Sequence, residues 1–279
     1  RLTDAEFFWQ QDQKQRIESY VAELQAVTFY EGLGDLHAKA LRLEKLATVL
    51  APYIAGCDAQ QAGRAGVLAK ADLVTGMVGE FPEMQGIIGG YYAGHDGEAN
   101  AVASAIATHY RPQGPTDDVP ETPTAKAVAL ADKIDTLVGF FGIGAKPTGS
   151  KDPFALRRAA LGVIRIILDA QLSLPLAMLL QKAAENYQFD AVDEDILPFI
   201  RDRLRVYLRD QNMRHDVVAA ALADSSGDDV CRMADEARSL AGFLAHSEGA
   251  GLIAGWRRVS SMLSVEEKKA KKLLQKLLP

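Results

Sequence analysis

Apolar residues in this chain return at the spacing of an α-helix, and that periodicity constrains the fold more than any other feature. Leu156, Ala159, Ala160, Val163, Ile164 and Ile167 fall at i, i+3, i+4, i+7, i+8 and i+11, one continuous stripe. Leu33, Leu36, Leu41, Leu43, Leu46, Ala47 and Leu50 recur at helical spacings, and Ile200, Leu204, Tyr207 and Leu208 repeat the pattern. Sustained alternating runs joined by hairpin turns are missing, as are strand–helix alternations. The expected class is all-α. The clear interruptions are Gly86–Gly90, the Pro-rich stretch Arg111–Pro123, expected as an exposed loop, and Gly139–Pro153. Asp152-Pro153 reads as an N-cap followed by Pro at the first helical position. Residues up to about Ala170 read as one unit. Beyond Leu172 charges alternate more densely, so a second helical array is expected after a junction near Ala170–Pro175.

Composition narrows the classes further. The 279 residues are 48% hydrophobic and 24% charged, enough for one large or two medium domains with proper cores. No apolar run approaches the roughly 18–20 residues that span a bilayer, and the charged start RLTDAEFFWQQDQKQR is not a secretory signal. A chain opening Arg1-Leu2-Thr3-Asp4 without Met is expected to be part of something longer. Cys57 and Cys231 are too few and too far apart for a disulfide framework or zinc cluster, and read as reduced thiols of a cytoplasmic protein. The net charge of −6 argues against indiscriminate binding to nucleic acid, and neither DNA nor membrane is expected as a partner. The charge is uneven, however. From Trp256 onward, seven Lys/Arg, including Arg257 and Arg258, stand against two Glu, leaving −11 for the rest. Any RNA contact must be local.

Gly144-Ala-Lys-Pro-Thr-Gly149-Ser150-Lys151 has some likeness to a phosphate loop, but the required order is GxxxxGK[ST]. Here Ser150 precedes Lys151 and Pro147 removes a backbone donor, so a Gly-rich connector is the reading. The set His37, Asp72, His95, His109 and Asp132 is more informative, because a helical hydrolase needs imidazole and carboxylate ligands converging on a metal. LHAKALRLEKLATVLA puts a His ahead of an apolar run, LAKADL puts Asp72 at the end of another, and ALADKIDTL supplies a late Asp pair. This order resembles the HD phosphohydrolase superfamily, whose pattern is a His, a His-Asp doublet and a distant Asp. On that resemblance His37, Asp72 and Asp132 match three positions, and the doublet His falls on Ala71, which has no ligand atom. Losing one imidazole of four removes much of the metal affinity, so a vestigial, metal-free site is expected, with His37, Asp72 and Asp132 near one another.

Longer stretches are more specific. GEFPEMQGIIGGYYAGHDGE (79–98), ETPTAKAVALADKIDTLVGFFGIGAKPTGSKDPFALRRAALGVIRII (121–167) and RDRLRVYLRDQNMRHDVVAAAL (201–222) are similar to the β subunit of bacterial two-subunit glycyl-tRNA synthetase, as are LTDAEFFWQQD and VTFYEGLGDLHAKALRLEKLA. The resemblance runs from Leu2 to about Leu263. It implies a ligase in which the α subunit, with ATP and Mg²⁺, activates glycine while β binds and orients tRNA(Gly). On this basis residues 1–170 would be an HD-like helical domain, 171–255 a helical body, and 256–279 the start of a truncated anticodon-binding region or a basic helical tail. The fragment alone would be inactive, with no catalytic residue, metal or cofactor of its own, and its partners would be the α subunit and tRNA(Gly).

Given that family, the cations acquire candidate roles. Lys146, Lys151, Arg157 and Arg158 gather at a Gly-rich connector and a helix start, where a phosphate finds charge and backbone donors. Arg201, Arg205 and Arg209, at i, i+4 and i+8, form a second stripe that local pairing to Asp202 and Asp210 would explain equally. Arg257 and Arg258 are a third group. The rival functions are a metal-dependent HD phosphohydrolase, which Ala71 opposes, and a purely structural helical scaffold.

Overall fold

The computed structural model describes residues 2–189, 193–223 and 227–277. It is all-α, as the periodicity requires, with one small hairpin among the described residues. The chain divides into two compact units, one formed by Arg1–Tyr207 with Ser226–Arg232, the other by Leu208–Ser225 with Met233–Pro279. By compactness the first break in the chain falls near Tyr207. Helix α10, Leu176–Tyr187, packs on the preceding helices and carries Tyr187 to a hydrogen bond with Asp135 at 3.0 Å, which ties residues beyond Ala170 to the first unit.

Within the first unit, α1 (Leu2–Asp12), α2 (Ile17–Glu23), α3 (Leu36–Leu50), α4 (Ala59–Leu68), α5 (Gly76–Glu80), α6 (Ile87–His95) and α7 (Asn100–Thr108) lead to α8 (Pro123–Gly142). α9 (Leu156–Asp169), α10 and most of α11 (Asp193–Asp210) follow. β1 (Thr28–Tyr30) and β2 (Gly34–Asp35) pair antiparallel before α3, strands too short for alternation to reveal.

α8 is the hub. It is apolar nearly all round, with Ala125, Val128, Leu130, Ile134, Leu137 and Val138 essentially inaccessible, and a helix of that kind must be covered on every side. Helices α3, α4, α7, α9 and α10 supply the cover. Thr122 caps its start by accepting from the Ala125 N–H at 3.3 Å. The connector before it, 111–122, is a loop as expected, but Pro112 and Pro120 are buried beneath it. α9 corrects the expected helix start. It begins at Leu156, because Ala155 adopts a left-handed backbone (φ +55°) that breaks the helix. Asp152 still caps it from upstream, accepting from the Leu156 and Arg157 N–H groups at 2.9 Å each.

Asp12 fastens the N-terminal helix: its buried carboxylate accepts from the Gly76 and Met77 N–H groups and the Tyr92 hydroxyl, at 2.8–2.9 Å. In the second unit, α12 (His215–Ala223) buries Val217, Val218 and Leu222. The later part of α13 (Val230–Ala245) and the long α14 (Ser247–Leu277) complete it, and α14 exposes Leu252, Trp256, Met262 and Leu263. No described helix is long and apolar enough to cross a membrane.

The crossing of α3 and α4 depends on glycine. A Cβ on Gly66 would stand 2.8 Å from the Leu43 carbonyl and 2.9 Å from the Glu44 nitrogen, backbone atoms that cannot give way. A Cβ on Gly63 would crowd the Thr48 hydroxyl at 2.6 Å, a side-chain atom that can turn away, and otherwise make ordinary contact with Glu44. Gly66→Ala should therefore cost about 2–3 kcal/mol in urea unfolding followed by circular dichroism. Gly63→Ala should stay within about 1 kcal/mol, helped by alanine's helix propensity. Equal costs for the two would mean that the crossing is not set by backbone contact.

Candidate functional site

The core of the first unit is not wholly apolar. Asp132 and Asp135, one turn apart on α8, face Lys39 and Arg42, one turn apart on α3. Lys39 Nζ stands 3.2 Å from Asp132 Oδ1 and 3.0 Å from Asp135 Oδ2, and Arg42 Nε donates to Asp135 Oδ1 at 2.7 Å. A second ammonium closes on Asp132 from the turn before Asp72, with Lys70 Nζ 3.1 Å from Oδ1. Both ammoniums meet that oxygen off the hydrogen-bonding direction, so the contact is one of charge. Burial works against the Asp132 carboxylate, but Lys70 and Lys39 prevail and hold it well below the usual range.

Lys70 has further partners. Its Nζ lies 2.9 Å from His109 Nε2 and 3.8 Å from the centre of the Tyr110 ring. His109 Nδ1 faces the Ile106 carbonyl at 2.6 Å, so Nδ1 carries the proton and Nε2 accepts from the ammonium. That tautomer fits the titration: burial and then the Lys70 charge push His109 down to about 3. Lys133, beside Asp132 on α8, points the other way and donates to the carbonyls of His109, Tyr110 and Arg111 at 3.4, 3.2 and 2.8 Å. Gly162 of α9 makes room for it, since a Cβ there would lie 2.4 Å from the Lys133 Cε. Burial lowers Lys133 to about 8, partly offset by Asp132.

The residues matched to the HD pattern are placed as follows. Asp132 lies at the centre of this cluster. Asp72 is fully buried and turned to the start of α6, its Oδ2 accepting from Gly86 N–H at 2.6 Å and Gly89 N–H at 3.2 Å. Gly86 holds φ +78°, and a Cβ on Gly89 would press on the Asp72 carboxyl at 3.0 Å. The other oxygen of Asp72 has no hydrogen-bond partner among the described residues, and burial raises the group to about 6. Ala71 is inaccessible. His37 is half-buried on α3 and makes no hydrogen bond or ion pair among the described residues, so the charge that reaches Asp132 from α3 is that of Lys39. His95 lies outside the cluster, exposed beside Asp96.

These residues do not fit a divalent ion. Among the described residues no three His, Cys, Asp or Glu side chains gather as a metal would need. The space against Asp132 is held by two tethered ammoniums, which carry charge but have no lone pair to offer. The sequence signal for this arrangement was the lysines beside the motif positions, in LHAKAL and LAKADL.

The cationic candidates fall into separate groups. Lys146 pairs with Asp195 at 2.6 Å, both exposed, and such pairs contribute about 0–1 kcal/mol. Arg157 turns onto the connector and donates to the Gly149 and Lys151 carbonyls at 2.6 and 3.5 Å. Lys151 and Arg158 are exposed, and neither side chain has a hydrogen-bond or ion-pair partner among the described residues. On α11, Arg205 pairs with Asp202 at 2.8 Å and Arg201 donates to the Gly227 carbonyl at 3.1 Å, while Arg209 is exposed. Arg257 and Arg258 are exposed on α14.

The fold and its cluster define an all-helical protein built around a buried salt-bridge network, with solvent-facing cations at one helix start. The family model described as glycyl-tRNA synthetase beta subunit matches residues 1–223, and the chain belongs to that family. It is 50% identical over 274 residues to the glycine–tRNA ligase beta subunit of Phenylobacterium zucineum, covering 96% of this chain and 39% of that protein. The corresponding proteins of Ruegeria sp. and Rhodospirillum centenum are 46% and 48% identical, again over 96% of this chain. The chain spans about 39% of the length of the relatives it matches.

The buried His109 and Asp72 set opposite pH dependences. His109 titrates lower in the folded state than its ordinary 6.5, so the unfolded chain takes up the proton first as pH falls, and stability is lost below about 6.5. Asp72 titrates higher than its ordinary 3.8, so the folded chain takes up the proton first, and stability is gained as pH falls from about 6 toward 4. Each contributes on the order of 1 kcal/mol per pH unit within its window. Urea unfolding between about pH 7 and 4.5 should show Asp72→Asn losing stability more steeply than the parent and His109→Gln less steeply. Parallel slopes for all three proteins would show that neither group is held as described.

Proposed function

We propose that this chain is a non-catalytic, tRNA-handling and assembly part of the beta subunit of glycyl-tRNA synthetase. The observation that carries the non-catalytic half is the pair of ammoniums, Lys39 and Lys70, against Asp132, where a phosphohydrolase of the HD kind would hold its ion. A scaffold knitted by internal salt bridges supports neighbouring parts without chemistry of its own. The curated relatives are named as beta subunits of glycine–tRNA ligase, which supports an alpha subunit and tRNA(Gly) as partners and ligation of glycine as the reaction served. ATP and Mg²⁺ belong to the alpha subunit in this reading, and the cytoplasm is the compartment. In the same reading residues 1–170 are an HD-like body, 171–255 a helical body, and 256–279 either the entry to an anticodon-binding region or a basic tail.

Lys146, Lys151, Arg157 and Arg158 make the first candidate contact with the tRNA backbone, with two roles among them. Lys151 and Arg158 are the free cations, and Arg157 shapes the connector that presents them. Arg201, Arg205, Arg209, Arg257 and Arg258 are further candidates. In the full-length two-subunit enzyme, Lys151→Ala with Arg158→Ala should weaken tRNA binding. It should also lower the log–log salt slope by up to roughly two, about one per phosphate contact. Glycine-dependent ATP turnover should be unchanged. Unaltered affinity at two salt concentrations, in a folded variant, would make these cations structural.

A further inference from the structure

A cavity of about 290 Å³ opens between the start of the connector that follows α7, α8 and the start of α9, with Tyr110, Gln113, Asp132, Lys133, Phe154 and Arg158 among its lining. That volume is at the lower end of small-molecule sites, the size for one nucleotide unit and not a large cofactor. Three features of the lining point to the chemistry of its occupant.

The first is positive charge held without an ion pair. Lys133 is 6% exposed and forms no ion pair with a carboxylate among the described residues; only backbone carbonyls hold it. A buried ammonium is normally paired, so this one leaves a positive potential at the wall it lines. The lining acid, Asp132, offsets it only in part, because Lys39 and Lys70 already match that carboxylate from behind. The second is a set of donors without acceptors. Neither the Arg158 guanidinium nor its backbone N–H has a partner among the described residues, and that N–H belongs to the first turn of α9. The third is a fixed flat wall: Phe154 is stacked on Phe140 at 4.1 Å and 15°. Cation, free donors and a rigid ring together suit a phosphorylated nucleoside unit, with phosphoryl oxygens on Arg158 and the positive wall and an unpaired ring against Phe154.

We infer that this cavity binds the phosphoryl group of a single nucleotide unit, received by Arg158 over the Lys133 wall. The unit belongs either to an RNA strand or to a free nucleotide, and only the first of these sources rests on the tRNA reading above.

The test uses the assembled full-length enzyme and calorimetric titration with inorganic phosphate, cytidine 5′-monophosphate and cytidine. A pyrimidine is chosen so that a site for ATP does not report. Phosphate and the monophosphate should bind, the monophosphate more tightly, and cytidine should not. Arg158→Gln should weaken both at least tenfold; its side chain is exposed, so the fold should persist, as melting would verify. Lys182→Gln, the same loss of charge at an exposed position on α10, should change neither. Cytidine binding as well as its monophosphate, or Arg158→Gln binding phosphate like the parent, overturns the inference. A third arm measures tRNA affinity and its competition with the monophosphate. If phosphate binding is lost in Arg158→Gln while tRNA affinity holds and no competition appears, the cavity serves a free nucleotide. The site then stands and the tRNA contact here falls. If tRNA affinity drops while phosphate and monophosphate bind both proteins equally, the tRNA contact stands and the cavity inference fails.

Discussion

Asp132 carries a negative charge in the most enclosed helix of the protein, and the first unit is arranged to keep that charge matched. A carboxylate taken from water without a partner costs several kcal/mol, far more than one aliphatic contact returns. The matching charges come from α3 through Lys39 and from the turn before Asp72 through Lys70. Both elements must dock on α8 at the correct height for the Asp132 charge to be matched. The pairing is repeated one turn along, where Arg42 takes Asp135 and Tyr187 adds a hydroxyl from α10. Two residues at i and i+3 on α3 thus read two residues at i and i+3 on α8, which fixes the register of that contact. Apolar packing alone would tolerate a slip of one turn. These charges do not.

An ammonium and a divalent ion solve the same local problem with different consequences. Each can neutralise a buried carboxylate and accept the field of a neighbouring imidazole. The ammonium is tethered, however, so it cannot dissociate or be exchanged, and it has no open position for a water molecule. His109 shows the difference in a single atom: Nε2, whose lone pair a metal could take, here accepts a hydrogen bond from the Lys70 ammonium. Lys39 and Lys70 give the cluster the charge that an ion would bring and no open position for a ligand.

The helices were legible because burial imposes its period on the residue order. The stripe from Leu156 to Ile167 is the inner face of α9, and the Gly/Pro-rich stretch Gly139–Pro153 marks the connector before it. The α9 start was misplaced because a left-handed Ala155 carries no sequence signature, while Asp152-Pro153 resembles a cap in isolation. The cluster was half legible. Asp132, Asp72 and His109 stood out as groups capable of chemistry, whereas Lys39, Lys70 and Lys133 are of a type that is nearly always exposed and so attracted no notice. Spacing on α3 gave no help, since His37 and Lys39 are two residues apart and point about 200° around the helix from each other. Which one faces Asp132 depends on the docking of α3, a long-range fact. The end of the first unit was hidden for the same reason, because Tyr187 meets Asp135 across 52 residues of sequence.

The start of α9 shows how a charged surface is built without being consumed by its own salt bridges. Adjacent residues on a helix project about 100° apart, so Arg157 and Arg158 cannot do the same thing. Arg157 lies back on the connector and donates to the Gly149 carbonyl, and at longer range to the Lys151 carbonyl that the Thr148 N–H already reaches. Asp152 is the acid nearest to hand, yet both its oxygens are engaged by the N–H groups of Leu156 and Arg157, and it does not pair with either guanidinium. The local negative charge is spent on the helix end and the local carbonyls on Arg157. Arg158 is left facing outward with its charge unclaimed, above a core whose ammoniums and guanidinium outnumber the carboxylates they pair with.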